Sequence, residues 1–277
     1  MLRIKHYIKN LFVFVPLLFS MSFTNKGAVT SSILVFIEFC LIASCIYIIN
    51  DIKDIDKDRV HPKKKNRPIA SGEVSINTAK IFTIVLMLLA IGVAYVSNRY
   101  YSFITIAIYF VLNVAYTFFL KKIPLVDVFV IALGFLMRIY AGAFAIDVKV
   151  SSWLLMTTLA LSLFLGFGKR YGEKTKVGDQ PSRDVLDYYQ VDTLKTFIVV
   201  SMLLTIVFYS LYCAIGPSAL GEYGIFTIPV VIFAMLRYYM MLDNKEVDGD
   251  PTDALLNDRV IQVCVVIYLL MIIIIWR

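Results

Sequence analysis

The sequence predicts an all-α, polytopic membrane protein, and three observations carry that prediction. Mean hydropathy is +0.79 over 277 residues, 60% of them hydrophobic, too apolar for a chain that must present a polar surface to water. Charged residues make up only 17%, yet the net charge is +7, so the informative question is where the few charges sit. Long apolar runs bounded by charged or turn residues recur along the whole length.

About twenty apolar residues, rising 1.5 Å each, cross a bilayer's hydrocarbon layer. Nine runs approach that length: 7–23, 30–49, 78–97, 101–120, 124–146, 151–168, 193–215, 223–242 and 260–276. The first is short and partly polar. Its basic start (Arg3, Lys5, Lys9) resembles a secretory leader, but no small-residue cleavage site follows, so it is read as a span. No linker or low-complexity stretch divides the chain, so residues 1–277 are read as a single domain. Cys40, Cys45, Cys213 and Cys264 all sit in apolar runs without metal-ligand spacing and read as small buried hydrophobes.

Charge placement sets orientation. With the amino terminus cytoplasmic, the tail and the loops after even-numbered spans hold Arg3, Lys5, Lys9, Lys53, Lys57, Arg59, Lys63, Lys64, Lys65, Arg67, Lys121, Lys122, Lys169, Arg170, Lys174, Lys176, Arg183, Lys245 and Arg259. The other side holds only Lys26, Arg99, Lys149 and Arg277. Lys and Arg concentrate on the cytoplasmic side, so the expectation is an integral protein of the plasma (inner) membrane with its active-site loops inside. The two longest polar loops, after the second and sixth spans, suggest two helical halves facing a central cavity open to the cytoplasm. Nothing points to a nucleic-acid partner, and assembly into a homo-oligomer is left open.

The end of the second span carries Asn50, Asp51, Asp54 and Asp58. Spaced by three and then four, the aspartates share one helical face with Asn50 beside them, while Asp56 points away. Carboxylates stacked this way repel unless a cation compensates, and oxygen ligands shared with substrate phosphates suit Mg²⁺. A polar helix end neutralised by nearby lysines is the plainer alternative. Downstream, Arg59 and Arg67 flank prolines and the Lys63–Lys65 triplet, offering either charge-assisted bonds to phosphate or anchoring to lipid headgroups.

From Asn50 to Asp58 the chain resembles the NDxxDxxxD signature of the UbiA superfamily of intramembrane prenyltransferases. Arg67-Pro68 resembles the RP after it, and Tyr116 to Lys121 with Pro124 and Asp127 is similar to that superfamily's Y-[ST]-x-x-L-K segment. The resemblance implies a nine-helix bundle and a Mg²⁺-dependent transferase. Asn50, Asp51, Asp54 and Asp58 would hold the metal, the three aspartates being catalytic, and Tyr116 and Lys121 would bind substrate.

The chain departs from the superfamily's second DxxxD motif, having Gly168-Lys169-Arg170-Tyr171-Gly172-Glu173 instead. Bases replacing acids weaken a second metal and favour direct phosphate contact, unless they are only a positive-inside loop. Together with Tyr7-Ile8-Lys9-Asn10 and the 250–259 segment, this is similar to the branch of decaprenyl-phosphate phosphoribosyltransferases. That branch implies transfer of a 5-phosphoribosyl group from phosphoribosyl diphosphate to a polyprenyl phosphate, in keeping with cell wall biosynthesis. Lys9, Lys169 and Arg170 would orient phosphates, and Glu173 would bond ribose hydroxyls or order the cations.

Arg138, costly within a span, either helps bind the diphosphate or pairs with Asp127 or a helix-end carbonyl. Arg237 needs the cavity or an acidic partner, and Glu38 reads as a packing or hydrogen-bonding residue. The alternatives are a conventional prenyltransferase moving a prenyl group to an aromatic or haem acceptor, and a lipid or anion transporter. One-sided polar loops and the absence of a Gly/Pro-broken helix pair argue against the transporter.

Overall fold

The computed structural model of the chain describes residues 2–62, 64–175, 184–215, 221–247, 249 and 251–276. Lys63, Lys176, Arg183, Asp250 and Arg277 of the sequence-based expectations lie outside these residues. The described chain is helical, without strands. A 3₁₀ segment Ile4–Phe14 leads into α1 (Val15–Phe19), then α2 (Lys26–Lys53), α3 (Ile55–Val60), α4 (Ile76–Ser97), α5 (Tyr100–Phe118) and α6 (Val126–Ala145). There follow α7 (Ser152–Thr175), α8 (Val191–Ala214), α9 (Ile228–Asp243), α10 (Pro251–Asn257) and α11 (Arg259–Trp276).

Caps mark where the spans begin. Asn25 accepts from the backbone N–H of Gly27 and Ala28 at 2.9 and 3.2 Å to start α2, and Ser75 accepts from Thr78 at 3.1 Å to start α4, satisfying N–H groups the first turn leaves unpaired. Seven described helices are long and apolar enough to cross a membrane: α2, α4, α5, α6, α7, α8 and Tyr223–Asp243. α10 and α11 qualify together only as a pair bent by 87°. Outward residues such as Ile81, Leu88, Val200, Leu203, Val263 and Ile274 are exposed, as expected of a surface solvated by lipid. The chain is an integral membrane protein.

The first expected span, 7–23, takes a different form. It is eleven residues of 3₁₀ helix, long for that conformation, followed by the five-residue α1 and a second 3₁₀ turn. Tyr7 bonds Ser44, Asn10 bonds Cys40 and Phe14 packs on Phe36, so the segment runs antiparallel along α2. At about 2 Å per residue a 3₁₀ helix covers this distance with fewer residues than an α-helix. It lies flush against α6, because a Cβ on Gly142 would stand 2.0 Å from the Val13 carbonyl oxygen. Gly142→Ala is therefore expected to cost at least about 2 kcal/mol, backbone giving way less readily than a side chain, read as a lowered unfolding temperature in detergent.

Two core clusters meet on α6. Val13, Val35, Phe39, Ile106 and Tyr109 pack with Ala141 and Ala145 at its far end. Val128, at its start, joins Phe164, Phe167, Leu194, Ile198 and Leu242 of α7, α8 and α9. α6 is thus the wall shared by a first group (the amino-terminal segment, α2, α4, α5) and a second (α7 to α11). All four cysteines are buried and free. Arg237 has its acidic partner, Asp258, at 2.8 Å, and Glu38 is buried with one carboxylate oxygen unbonded among the described residues.

Candidate active site

The cavity between the two groups has a volume of about 930 Å³. Its mouth is ringed by Lys53, Asp54, Lys57, Asp58, Lys121, Lys122 and Asp184, and its inner wall carries Tyr109, Asn113, Gly134, Phe135 and Arg138. The mouth gathers the end of α2, the short α3, the α5–α6 connection and the end of α7, since antiparallel neighbours bring alternate loops to one side.

α2 and α3 continue nearly as one helix through the acidic motif. The Asp54 N–H still bonds Asn50 O at 2.9 Å and the Asp58 N–H bonds Asp54 O at 2.8 Å. Asp51 and Asp58, 5% and 3% exposed, converge on one atom, accepting from Nη1 of Arg67 at 3.0 and 2.5 Å. Asp51 also accepts from Arg3, which comes from the amino-terminal segment and stacks on Tyr47.

Asn50, Asp51, Asp54 and Asp58, expected as one metal-binding group, are divided. Asp54 binds Nζ of Lys121 at 2.7 Å, and among the described residues no three His, Cys, Asp or Glu side chains gather around a common point. Carboxylates held this close must be neutralised, and here cations on neighbouring elements do it. Asp51 and Asp58 nevertheless fit a divalent ion. Two buried carboxylates aimed at one cationic atom, with Asn50 on the cavity wall, are the kind of oxygen donors that would suit Mg²⁺ shared with substrate phosphates.

The second polar group lies across the mouth. Arg170 is 1% exposed and bonds Asp127 at 2.5 Å, Glu173 at 2.7 Å and the Tyr116 hydroxyl at 3.3 Å. The Tyr189 hydroxyl donates to the other Asp127 oxygen at 2.7 Å and accepts from Leu125 N–H at 2.7 Å. Burial pushes the Tyr189 phenol well above its ordinary range, keeping it a donor. Lys57 and Asp184 are joined at 2.8 Å, and Lys57 holds that carboxyl below the usual carboxylate range.

Among the expected substrate-binding residues, Lys9, Asn50, Arg67, Tyr116, Lys121, Arg138, Lys169, Arg170 and Glu173 line the cavity. Arg59 does not. It is exposed and turned toward Ala70 O at 3.4 Å, because the residue after Asp58 points about 100° away around the helix. Arg170, expected to orient phosphates, is committed to three protein partners. Asp127 pairs with Arg170 instead of Arg138. Arg3, Asn10, Tyr109 and Tyr189 were not expected at the site; their partners lie far away along the chain, where no spacing signal reaches.

A model of the UbiA prenyltransferase family matches residues 13–256. The chain is 30% identical over 272 residues to a protein of Corynebacterium glutamicum named decaprenyl-phosphate phosphoribosyltransferase, covering 95% of this chain and 81% of the relative. A protein of the same name from Mycolicibacterium smegmatis is 32% identical over 241 residues, covering 82% and 74%. Among solved structures, a UbiA homolog from Archaeoglobus fulgidus bound to GPP and Mg²⁺ has a TM-score of 0.73 at 17% identity, covering 100% of this chain and 98% of that one. That likeness shows the shared fold.

Proposed function

Because the chain belongs to the UbiA prenyltransferase family, we propose that it transfers a 5-phosphoribosyl group from phosphoribosyl diphosphate to a polyprenyl phosphate, releasing diphosphate, at the cytoplasmic face of the plasma membrane. The relatives named decaprenyl-phosphate phosphoribosyltransferase support this reading. The observation that carries it is the excess of cation in the cavity wall, where eleven Lys and Arg side chains face five Asp and Glu among the described residues. A pocket built for one diphosphate and an uncharged ring has no need of that excess; two anionic substrates do.

In this reading the bond between the ribose anomeric carbon and diphosphate breaks, the electron pair leaving with the diphosphate. An anionic oxygen of the lipid phosphate forms the new bond. Asp51 and Asp58, with Asn50, would hold Mg²⁺, which supplies Lewis-acid charge on the departing diphosphate. Arg67, freed from its carboxylates, and Arg3 turn to phosphate oxygens as charge-assisted donors. Asp54 and Lys121 hold each other at the mouth beside the same face. The Asp127–Arg170–Glu173 brace fixes the end of α7 so that Lys169 presents to a phosphate and Glu173 to the ribose hydroxyls. The lipid phosphate is already anionic, so no strong general base is required.

The test is an incubation of purified protein with radiolabelled phosphoribosyl diphosphate, a polyprenyl phosphate and Mg²⁺, followed by solvent extraction. Label is expected in the lipid phase only when all three are present, and EDTA is expected to abolish it. Alkylation of an aromatic acceptor by a prenyl diphosphate, without such labelling, would replace this reading with conventional prenyl transfer.

A further inference from the structure

Arg138 is a buried cation whose partners among the described residues are all uncharged. It is 5% exposed and stands on α6, roughly 16 Å further along the helix than Asp127, where it lines the inner cavity wall. Nε donates to Asn10 Oδ1 at 2.9 Å, Nη1 to Gly134 O at 2.7 Å and Nη2 to the Tyr109 hydroxyl at 2.8 Å. A guanidinium has five N–H donors. One therefore remains on each terminal nitrogen, the pair that grips an oxyanion.

The contrast with its neighbours is chemical. Arg170, as deeply buried, has Asp127 and Glu173, and Arg237 has Asp258 and Glu246. Arg138 has an amide, a carbonyl and a phenol, with the rings of Phe39, Tyr109 and Phe135 at 5.3, 4.8 and 5.3 Å from its guanidinium carbon. Those rings attract the cation but leave its charge whole, and guanidinium does not shed its proton. A full charge held at membrane depth without an acid marks a ligand site. The fork is also held in place in advance: the Gly134 carbonyl and Asn10 fix it on one side. A Cβ at Gly134 would come within 3.3 Å of both Nη1 and the Tyr109 ring, so glycine keeps that space clear.

We propose that Arg138, set by Asn10 and Tyr109, forms a second anion subsite at the inner end of the cavity, separate from the rim at Asp58, and that it takes a phosphate monoester. Naming the ligand rests on the phosphoribosyl transfer reading, in which the ribose 5-phosphate and the lipid phosphate are the two monoesters present. The diphosphate already has its place at the rim.

The experiment is calorimetric binding to the detergent-purified full chain in EDTA, with farnesyl phosphate and ribose 5-phosphate as probes and farnesol and ribose as their uncharged controls. Two variants are compared with the parent. Arg138→Gln removes the cation. Asn10→Asp gives Arg138 an internal carboxylate, so it should raise the unfolding temperature while competing with the ligand.

One monoester is expected to lose at least about tenfold in affinity in both variants, with the controls unmoved; which probe loses it identifies the source. Binding of both monoesters within about twofold of the parent in Asn10→Asp, at a raised unfolding temperature, would overturn the subsite and leave Arg138 a helix cross-link. Arg138-dependent binding in a protein that transfers no phosphoribosyl group would uphold the subsite while removing the reaction. Active transfer with Arg138-independent binding would do the reverse.

Discussion

Asp58→Asn is expected to lower the transfer rate about 10²–10³-fold, the scale on which losing one group that stabilises developing charge is felt. Asparagine keeps the shape and one oxygen but removes the charge that, with Asp51, makes a divalent site. The fold should survive. Arg67, 2.5 Å from Asp58, retains Asp51 at 3.0 Å, and Asp51 retains Arg3. The discriminating signature is a raised Mg²⁺ requirement: the Mg²⁺ concentration for half-maximal rate should climb in Asp58→Asn and stay put in the exposed control Glu73→Gln. Rate and Mg²⁺ dependence both unchanged in Asp58→Asn would rule out the acidic pair as the metal seat.

The largest effect on stability is expected at Arg170→Met. Removing the guanidinium leaves Asp127, fully buried, charged and, among the described residues, bonded by the Tyr189 hydroxyl at 2.7 Å. Breaking one partner of a buried pair costs about 3–5 kcal/mol, because the orphaned charge stays in low dielectric. The double variant Arg170→Met with Asp127→Asn should recover part of that loss, since both charges are then gone and the interaction is non-additive. Thermal unfolding in detergent measures both. An unchanged unfolding temperature accompanied by weakened phosphate binding would instead make Arg170 a direct substrate contact, the role its position in a basic loop had suggested.

The acidic motif was legible because the spacing of Asp51, Asp54 and Asp58 is local. A helix at about 100° per residue puts them on one face whatever the rest of the chain does, and α2 and α3 keep that register. What spacing could not reveal was that Lys121 would draw Asp54 off while Arg67 bridged the other two. Likewise, hydropathy located residues 7–23 as an apolar run, but the same run suits an α-helix or a 3₁₀ helix. The choice lies with the contact at Gly142 and the polar bonds of Tyr7 and Asn10. The sequence marks Arg138 as costly in a span; that its neighbours are neutral, and that Asp127 serves Arg170, requires the packed bundle.

Membrane class, most of the helical spans and the family all follow from the sequence by itself. Hydrophobic length, helical period and motif spacing are properties of a continuous stretch and need no knowledge of neighbours. Tertiary structure alone decided which polar groups meet: Asp127 with Arg170 across 43 positions, Arg3 with Asp51 across 48, and Arg138 with Asn10 across 128. Ion pairs and hydrogen bonds act over a few ångströms of space, and folding makes those few ångströms out of any separation along the chain.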